Sequence, residues 1–198
     1  MAHESDLLAH HATAVRTSID LVAQVTVADL SRPTPCADWT LHGLLTHMIA
    51  QHYGFAAASR GIGDPNQWKP RRLGDDPAAD YRAAADYVLE AFAEPGVLAR
   101  KFPLPEFSAS HLFSGAQAVS FHFIDYVVHS WDVAQTLGLP VRFADAVLDA
   151  ALPVAEAVPG GGARLVPGAA FAPAVSWSGD HALDEIVAML GRAPSWPH

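Results

Sequence analysis

The sequence has one cysteine, no long apolar run and no common nucleophile motif, and each shortage excludes a class of protein. Cys36 alone among 198 residues excludes an intramolecular disulfide and any zinc site made of several cysteines. The chain lacks the G-x-S-x-G motif of serine hydrolases and a Gly-rich phosphate loop. No apolar stretch approaches the roughly 18 residues of a membrane span, and the polar N-terminus lacks the apolar segment of a signal peptide. We therefore expect a cytoplasmic protein that does not bind membranes.

Basic residues are also scarce. Twelve Lys and Arg stand against 21 Asp and Glu, which gives a formal net charge of -9. Because nucleic acids and anionic membranes are usually bound through a basic patch, this balance argues against both as partners. The hydrophobic fraction of 51% and the charged fraction of 17% are typical of a compact globular protein. A small neutral or thiol-bearing ligand fits this charge better as a partner, bound by a monomer or a homodimer.

Apolar residues that recur every three or four positions predict a mainly helical fold, since strand signals are weak throughout. Prolines and glycines separate the predicted helices. The first helix is predicted at about 6–28, the third at 77–94 and the fifth at 144–158. The second is capped by Asp38 or Thr40 and ends near 60, and the fourth ends at 137–138. The last is capped by Asp180 and ends at 191. An extended or irregular crossover is expected before 111, and a loop over 160–179 with a short strand at 174–177.

The fourth predicted helix carries four ionisable side chains in otherwise apolar sequence: His122, Asp125, His129 and Asp132. At about 100° per residue they lie within an arc of roughly 80°. Apolar residues cover almost every other direction, which is typical of a helix surrounded by protein. A buried carboxylate is costly unless it is paired, hydrogen-bonded or bound to a metal. The pattern predicts that Asp125 and His129 hold one cation; the alternative is a buried hydrogen-bonded pair without a metal.

A catalytic zinc site typically has three protein ligands, so a third ligand is needed from another helix. The second helix offers His42, His47 and His52. On periodicity alone His52 is the more inward residue, because it lies in the middle of the apolar face. His47 instead lies in a strip of small residues that leaves room for a ligand or for a close helix. His47 and His52 are about 140° apart and do not readily bind one ion together.

Several motifs together resemble one family. Three segments resemble the DinB-like metal-binding superfamily. They are Pro-Cys-Ala-Asp-Trp at 35–39, Leu-Leu-Thr-His at 44–47, and residues 125–132, which end in His-Ser-Trp-Asp. The closer resemblance is to its actinobacterial branch, related to the N-terminal domain of mycothiol-dependent maleylpyruvate isomerase, and segments 171–175 and 190–196 are also similar to that branch. The resemblance covers most of the chain. It implies an all-α fold, a DinB-like four-helix bundle with a small C-terminal helical appendage.

The resemblance also implies the metal ligands. In this family a histidine eight residues after the loop tryptophan binds the metal, and here that residue is His47. A carboxylate or histidine, followed four residues later by another histidine, completes the ligands, which matches Asp125 and His129. Two imidazoles and a carboxylate suit Zn²⁺, and they also suit Ni²⁺, Fe²⁺ or Mn²⁺.

The implied function is thiol chemistry at the metal. A thiol such as mycothiol is expected at the open coordination position, from which its thiolate is transferred to an electrophilic small molecule or added reversibly to permit isomerisation. His122 is the expected catalytic proton shuttle, and His52 and Asp132 are expected in the ligand pocket. The alternatives are metal-dependent hydrolysis and a metal-stabilised binding protein without turnover.

The chain departs from the isomerase at two points. Asp125 stands where the isomerase has glutamate, and this shorter side chain is expected to draw the metal toward the fourth helix. Only 58 residues follow Pro140, whereas the isomerase carries a fuller C-terminal domain. We therefore expect a metal-binding bundle over residues 1–139 and a small appendage, residues 140–198, packed on it.

Overall fold

The computed structural model of the chain describes residues 2–36, 39–166 and 169–197. Six helices dominate these ranges and confirm the predicted helical fold: Ala2–Val22 (α1), Leu41–Ser59 (α2), Pro77–Phe92 (α3), Gly115–Leu137 (α4), Asp145–Glu156 (α5) and Ala182–Met189 (α6). Two short strands pair in antiparallel fashion, Lys101–Pro103 (β1) and Leu112–Ser114 (β2). Within the described part of the chain, every helix is too short or too polar to cross a bilayer.

The first four helices form the bundle. α1 packs against α3 and α4, and α2 packs against the same two helices, so that the four close into a ring. α4 also contacts α5 and α6, which buries apolar side chains on nearly all of its sides. The DinB-like four-helix bundle with a C-terminal helical appendage is therefore confirmed, and α4 is its most enclosed element, as expected from a helix that is apolar almost all round.

Local side chains cap the N-terminal ends of α2, α3 and α4. Thr40 caps α2 and Asp76 caps α3, since each side chain accepts a bond from the backbone N–H three residues later. A capping box starts α4 at Ser114, and Gly138, with a φ of 70°, ends it. The predicted limits of α2 to α5 agree with these ends to within two residues. Asp38, the other predicted cap of α2, lies outside the described residues.

The predicted end of the first helix at residue 28 is wrong, because α1 stops at Val22. After it, the carboxylate of Asp29 accepts bonds from the backbone N–H of Thr26 at 3.0 Å and from its hydroxyl at 2.7 Å. These bonds cap a separate 3-10 turn, Val27–Asp29. Such local side-chain bonds compete with the helical hydrogen bonds that would continue α1.

The crossover between α3 and α4 is extended in part, as predicted, because it contains β1. Phe102 of β1 is opposite Phe113 of β2. The loop between the strands lies over α2 and α4. The ring of Phe107 stacks on Phe121 of α4 at 5.3 Å between centroids, and the neighbouring Glu106 bonds to α2. This loop therefore covers one side of the contact between α2 and α4.

The C-terminal segment packs on the bundle through α5 and α6. Both helices contact α4 and share a buried apolar cluster with it, to which they contribute Val147, Leu148, Ala151, Ile186 and Val187. The predicted strand at 174–177 is wrong, since Val175 makes one backbone bond to Ala188 of α6 and the described residues pair with no strand there. The predicted cap Asp180 is also wrong, because His181 takes that position. The division of the chain at residue 139 stays a prediction.

The end of α6 directs the chain back toward the bundle. Gly191 has a φ of 81°, and its N–H donates to Ala188, while the N–H of Arg192 donates to Val187. This is the Schellman arrangement, in which glycine takes the left-handed position. A Cβ on Gly191 would also come within 2.7 Å of Ala172. The turn places the Arg192 side chain in the interior, with 3% of the residue exposed.

Candidate metal centre

Three potential metal ligands meet between α2 and α4. His47 projects from α2, while Asp125 and His129 lie one turn apart on α4, and one donor atom of each lies within 4.8 Å of the others. The imidazole rings of His47 and His129 are nearly perpendicular, with centroids 5.3 Å apart. The three residues predicted as ligands are thus close enough to share one cation, and their role in binding it stays a prediction.

His129 lies between two carboxylates. Its Nε2 atom is 3.2 Å from Asp125 Oδ1, and its Nδ1 atom is 2.9 Å from Asp132 Oδ2. Because Asp132 occupies Nδ1, the Nε2 atom beside Asp125 is the one available to a cation. A carboxylate on the far nitrogen of a metal-binding histidine fixes the ring and raises its basicity. The donor set therefore fits a divalent cation such as Zn²⁺.

Arg192 completes this buried chain from the C-terminal segment. Its Nη2 atom lies 3.1 Å from Asp132 Oδ2, and its Nε atom lies 3.3 Å from Oδ1. Asp132 is completely buried, so its charge depends on this guanidinium and on His129 for compensation. Nη2 also donates to the Sγ atom of Cys36 at 3.3 Å, which ties the loop before α2 to the same cluster. Asp132 therefore acts on His129, and its place in the ligand pocket stays a prediction.

Electrostatics set the protonation of the cluster. Burial by itself would lower the pKa of His129, but the carboxylates of Asp125 and Asp132 raise it to about 9. Burial would raise the pKa of Asp125, yet His129 and then His47 hold it below its usual value. Burial, followed by the charge of His129, lowers the pKa of His47 to about 4. At pH 7 His47 is therefore neutral, Asp125 is ionised and His129 carries a proton that a cation must displace.

Trp39 forms one wall of the cluster. Its ring centroid lies 4.5 Å from that of His47 and 6.5 Å from that of His129. The loop that carries it is fixed by Thr34, whose hydroxyl donates to the Trp39 carbonyl at 2.9 Å. The half-buried indole thus covers one side of the potential ligands with apolar surface, and this limits the approach of water from that side.

His122 and His52 belong to a second histidine cluster. His122 Nδ1 lies 2.8 Å from His11 Nε2, and His122 Nε2 lies 3.3 Å from His52 Nδ1. All three residues are at most 1% exposed, and Tyr126 stacks on both His52 and His122 at 4.2 Å. Burial lowers the pKa of His11 to about 3 and those of His52 and His122 well below the usual range. This cluster is therefore uncharged at pH 7.

The second cluster lies apart from the potential metal ligands. His122 precedes His129 by two turns of α4, which is about 10 Å along the helix. A ligand reaches neither His122 nor His52 without displacing the rings packed around them. The predicted roles of His122 as a proton shuttle and of His52 in the ligand pocket stay predictions, and this geometry lends them no support.

Sequence reasoning misses His11 and Arg192. His11 lies four residues before Val15 and eleven before Val22 on the buried face of α1, so helical periodicity alone indicates that it belongs to the core. Arg192 gives no comparable periodic signal, because Asp132 is 60 residues away in sequence. The sequence indicates a partner for Asp132 only indirectly, because a carboxylate inside an apolar helix needs a cationic partner.

Comparison with known proteins finds a family and two relatives. The sequence model of the mycothiol maleylpyruvate isomerase N-terminal domain matches residues 11–134. Two uncharacterized proteins of Mycobacterium tuberculosis, MT0763 of strain CDC 1551 / Oshkosh and Rv0738 of strain ATCC 25618 / H37Rv, are each 30% identical to this chain over 133 residues, 67% of this chain and 68% of the relative. No solved structure matches the chain. The matched family region contains all three potential ligands and ends before Arg192.

Proposed function

Because the chain belongs to the mycothiol maleylpyruvate isomerase N-terminal domain family, we propose that it is a metal-dependent enzyme that adds the thiol of mycothiol, or of a similar small thiol, to an electrophilic small molecule. The family is metal-binding and related to mycothiol, in agreement with the resemblance of the motifs. The observation that carries the proposal is the cluster of His47, Asp125 and His129, with donor atoms within 4.8 Å of one another.

In the proposed site these three side chains would hold one divalent cation. Zn²⁺ suits the donors best, and Ni²⁺, Fe²⁺ and Mn²⁺ accept the same set. When bound, the cation lowers the pKa of a thiol that reaches it and so supplies a thiolate at neutral pH. Asp132 fixes the ring of His129, and Arg192 holds Asp132 in place. Trp39 excludes water on one side, which favours the thiol over water as the nucleophile.

The proposed reaction balances in two forms. In transfer, the thiol sulfur forms a bond to an electrophilic carbon, a leaving group departs with the electron pair of its bond, and the thiol proton passes to solvent. In reversible addition, the sulfur bonds to one carbon of a double bond and a proton is added to the other. Rotation and loss of the thiol then give the isomerised product. Both forms would need the thiol to reach the same three side chains, so one site would serve either outcome.

Metal content is the first test of the proposal. We expect the purified protein, reconstituted with zinc, to retain about one ion per chain and the His47→Ala and Asp125→Ala variants to lose it. His42→Ala is the matched control, because His42 is an exposed histidine of the same helix. Full zinc retention in both ligand variants would remove the metal site from the proposal.

Thiol dependence is the second test. Turnover of an aromatic electrophile, 1-chloro-2,4-dinitrobenzene, is measured with and without mycothiol in the zinc-loaded protein and in His129→Ala. Conjugate that forms only with mycothiol and requires His129 supports the proposal. Equal consumption of the electrophile without thiol contradicts it and favours metal-assisted hydrolysis. Thiol binding without turnover indicates a metal-stabilised binding protein instead.

A further inference from the structure

The face of α2 that carries His47 continues along the helix through Gln51 and Gly54. At about 100° per residue these three positions lie within an arc of roughly 60°. The side-chain amide of Gln51 donates to Glu106 Oε2 at 2.8 Å. Gly54 lies under the indole of Trp68, so that a Cβ there would come within 2.6 Å of the ring atom Cε3. One strip of α2 therefore connects His47 to Glu106 and then to Trp68.

A cavity of about 350 Å³ lies at the far end of this strip. Trp68 and Glu106, the two residues that cover the α2 strip, line it together with Lys69, Pro65, Pro70 and Pro105. Its volume falls within the range of small-molecule pockets, about 300–1,000 Å³. Gly54 follows His47 by seven residues, which corresponds to roughly 10 Å along the helix axis. Trp68 therefore packs on α2 at a position roughly 10 Å from that of His47, a distance that a ligand with two linked parts can span.

The lining of the cavity has mixed chemistry. Glu106 offers carboxylate acceptors, Lys69 offers an ammonium donor, and the indole and proline rings offer apolar surface. A ligand group with a full charge would be opposed by one of the two charged residues. A neutral group with several hydroxyls can donate to Glu106, accept from Lys69 and lay its C–H face against the rings.

Electrostatics also connect the cavity to the metal ligands. Burial, with a contribution from the charge of Asp125, raises the pKa of Glu106 above its usual value. Glu106 therefore lies within electrostatic reach of a predicted ligand on α4. Its hydrogen bond with Gln51 also lies one helical turn from His47 on α2.

We propose that this cavity binds the neutral, polyhydroxylated part of the thiol cosubstrate, while the thiol end reaches His47, Asp125 and His129. This inference rests on the proposed function and assigns the part of the chain that selects the thiol. Glu106, Lys69 and Trp68 then favour a thiol that carries a sugar-like group over one without it. A small thiol such as N-acetylcysteine would reach His47, Asp125 and His129 but would leave the cavity empty.

Binding measurements with the two halves of mycothiol test the assignment. The probes are mycothiol, its sulfur-free glucosaminyl-inositol part in the N-acetylated and therefore uncharged form, and N-acetylcysteine, each titrated into zinc-loaded and metal-free protein by calorimetry and ligand-observed NMR. We expect Glu106→Ala and Trp68→Phe to weaken mycothiol and glucosaminyl-inositol at least tenfold and to leave the affinities for N-acetylcysteine and zinc unchanged. Glu90→Ala, which removes an exposed glutamate of α3, is the matched control.

The metal-free arm separates this inference from the proposed function. Glucosaminyl-inositol that binds metal-free protein, and is weakened by Glu106→Ala, supports the cavity even if no thiol binds at the metal. If mycothiol binds the zinc-loaded wild-type protein, Glu106→Ala and Trp68→Phe equally well, the inference about the cavity is wrong, and the proposal of a metal site is unaffected. Absence of glucosaminyl-inositol binding to wild-type protein overturns it as well. Because Glu106 lies in an exposed loop, its variant keeps the test valid if Trp68→Phe fails to fold.

Discussion

The Nδ1 atom of His129 lies 2.9 Å from Oδ2 of Asp132, and the two residues are 3% and 0% exposed. This bond fixes the imidazole so that Nε2 remains beside Asp125. Arg192 holds the same carboxylate from the C-terminal segment. The orientation of a potential ligand on α4 therefore depends partly on a residue outside the bundle.

Asp132→Asn is expected to weaken zinc binding by about 10- to 100-fold, because the neutral amide orients His129 less firmly and lowers its basicity. The change also leaves the guanidinium of Arg192 buried without its carboxylate, which is expected to lower the free energy of unfolding by about 3–5 kcal/mol. Competition with a chelator measures the first effect and urea unfolding the second. Asp184→Asn is the control, since Asp184 lies 3.8 Å from the exposed His181. Wild-type zinc affinity in folded Asp132→Asn would show that Asp132 does not support a ligand.

Zinc affinity is expected to rise with pH between about 4 and 9. The pKa of His129 is about 9 and that of His47 about 4, so at pH 7 zinc displaces a proton from His129 and none from His47. Binding at pH 7 should release about one proton, and the affinity should increase about tenfold per pH unit until His129 is deprotonated. Calorimetry in two buffers of different ionisation enthalpy measures the released protons. A value near zero would mean that His129 is not a ligand.

The buried histidine cluster is expected to make the protein sensitive to acid. The folded-state pKa of His11 is about 3, and those of His52 and His122 are also lowered, whereas unfolded histidine titrates near 6.5. The unfolded chain therefore binds protons that the folded chain does not, and the free energy of unfolding falls as the pH drops below 6.5. Each such histidine adds a slope of up to about 1.4 kcal/mol per pH unit.

The His11→Gln variant tests this slope. Glutamine retains a group that hydrogen-bonds to His122 and removes one titrating side chain, so the slope between pH 6 and 4 should fall by about 1.4 kcal/mol per pH unit. Urea unfolding at several pH values measures it. His181→Gln, a change at a side chain that is 60% exposed, is the control and should keep the wild-type slope. An unchanged slope in His11→Gln would contradict the assignment of His11 as a neutral buried group.

Two glycines of α2 are expected to respond in opposite directions to alanine. A Cβ at Gly54 would overlap the Trp68 ring, so Gly54→Ala should lower the free energy of unfolding by about 1–3 kcal/mol. A Cβ at Gly43 would lie 3.4 Å from Trp39 Cβ, close to ordinary contact, and Gly43→Ala should raise stability by about 0.5–1 kcal/mol. Urea unfolding of both variants provides the comparison. Equal stabilisation would show that Trp68 is not packed on Gly54.

Local spacing explains which parts could be predicted from the sequence. Asp125 and His129 are four residues apart in a helix, so their proximity follows from helical geometry alone. The choice of His47 needed the family resemblance, because periodicity favoured His52. In the structure His52 is the more buried residue and its ring lies within hydrogen-bond distance of His122, whereas His47 lies beside His129.

Long-range contacts explain what could not be predicted. His11 bonds to His122 across 111 residues of sequence, and Arg192 bonds to Asp132 across 60. Helical periodicity indicates that a polar residue is buried, but it does not identify the hydrogen-bond partner of that residue. The tight turn at Gly191, which brings Arg192 inward, depends equally on the packing of α6 against the rest of the chain.

The pairing of Arg192 with Asp132 has a consequence for the order of events during synthesis. A ribosome that adds about 5–20 residues per second produces Arg192 about 3–12 s after Asp132. For most of that interval all four bundle helices have been translated, yet the carboxylate of Asp132 in the last part of α4 has no guanidinium partner. We therefore expect the burial of Asp132 to become favourable only after Arg192 has been synthesised.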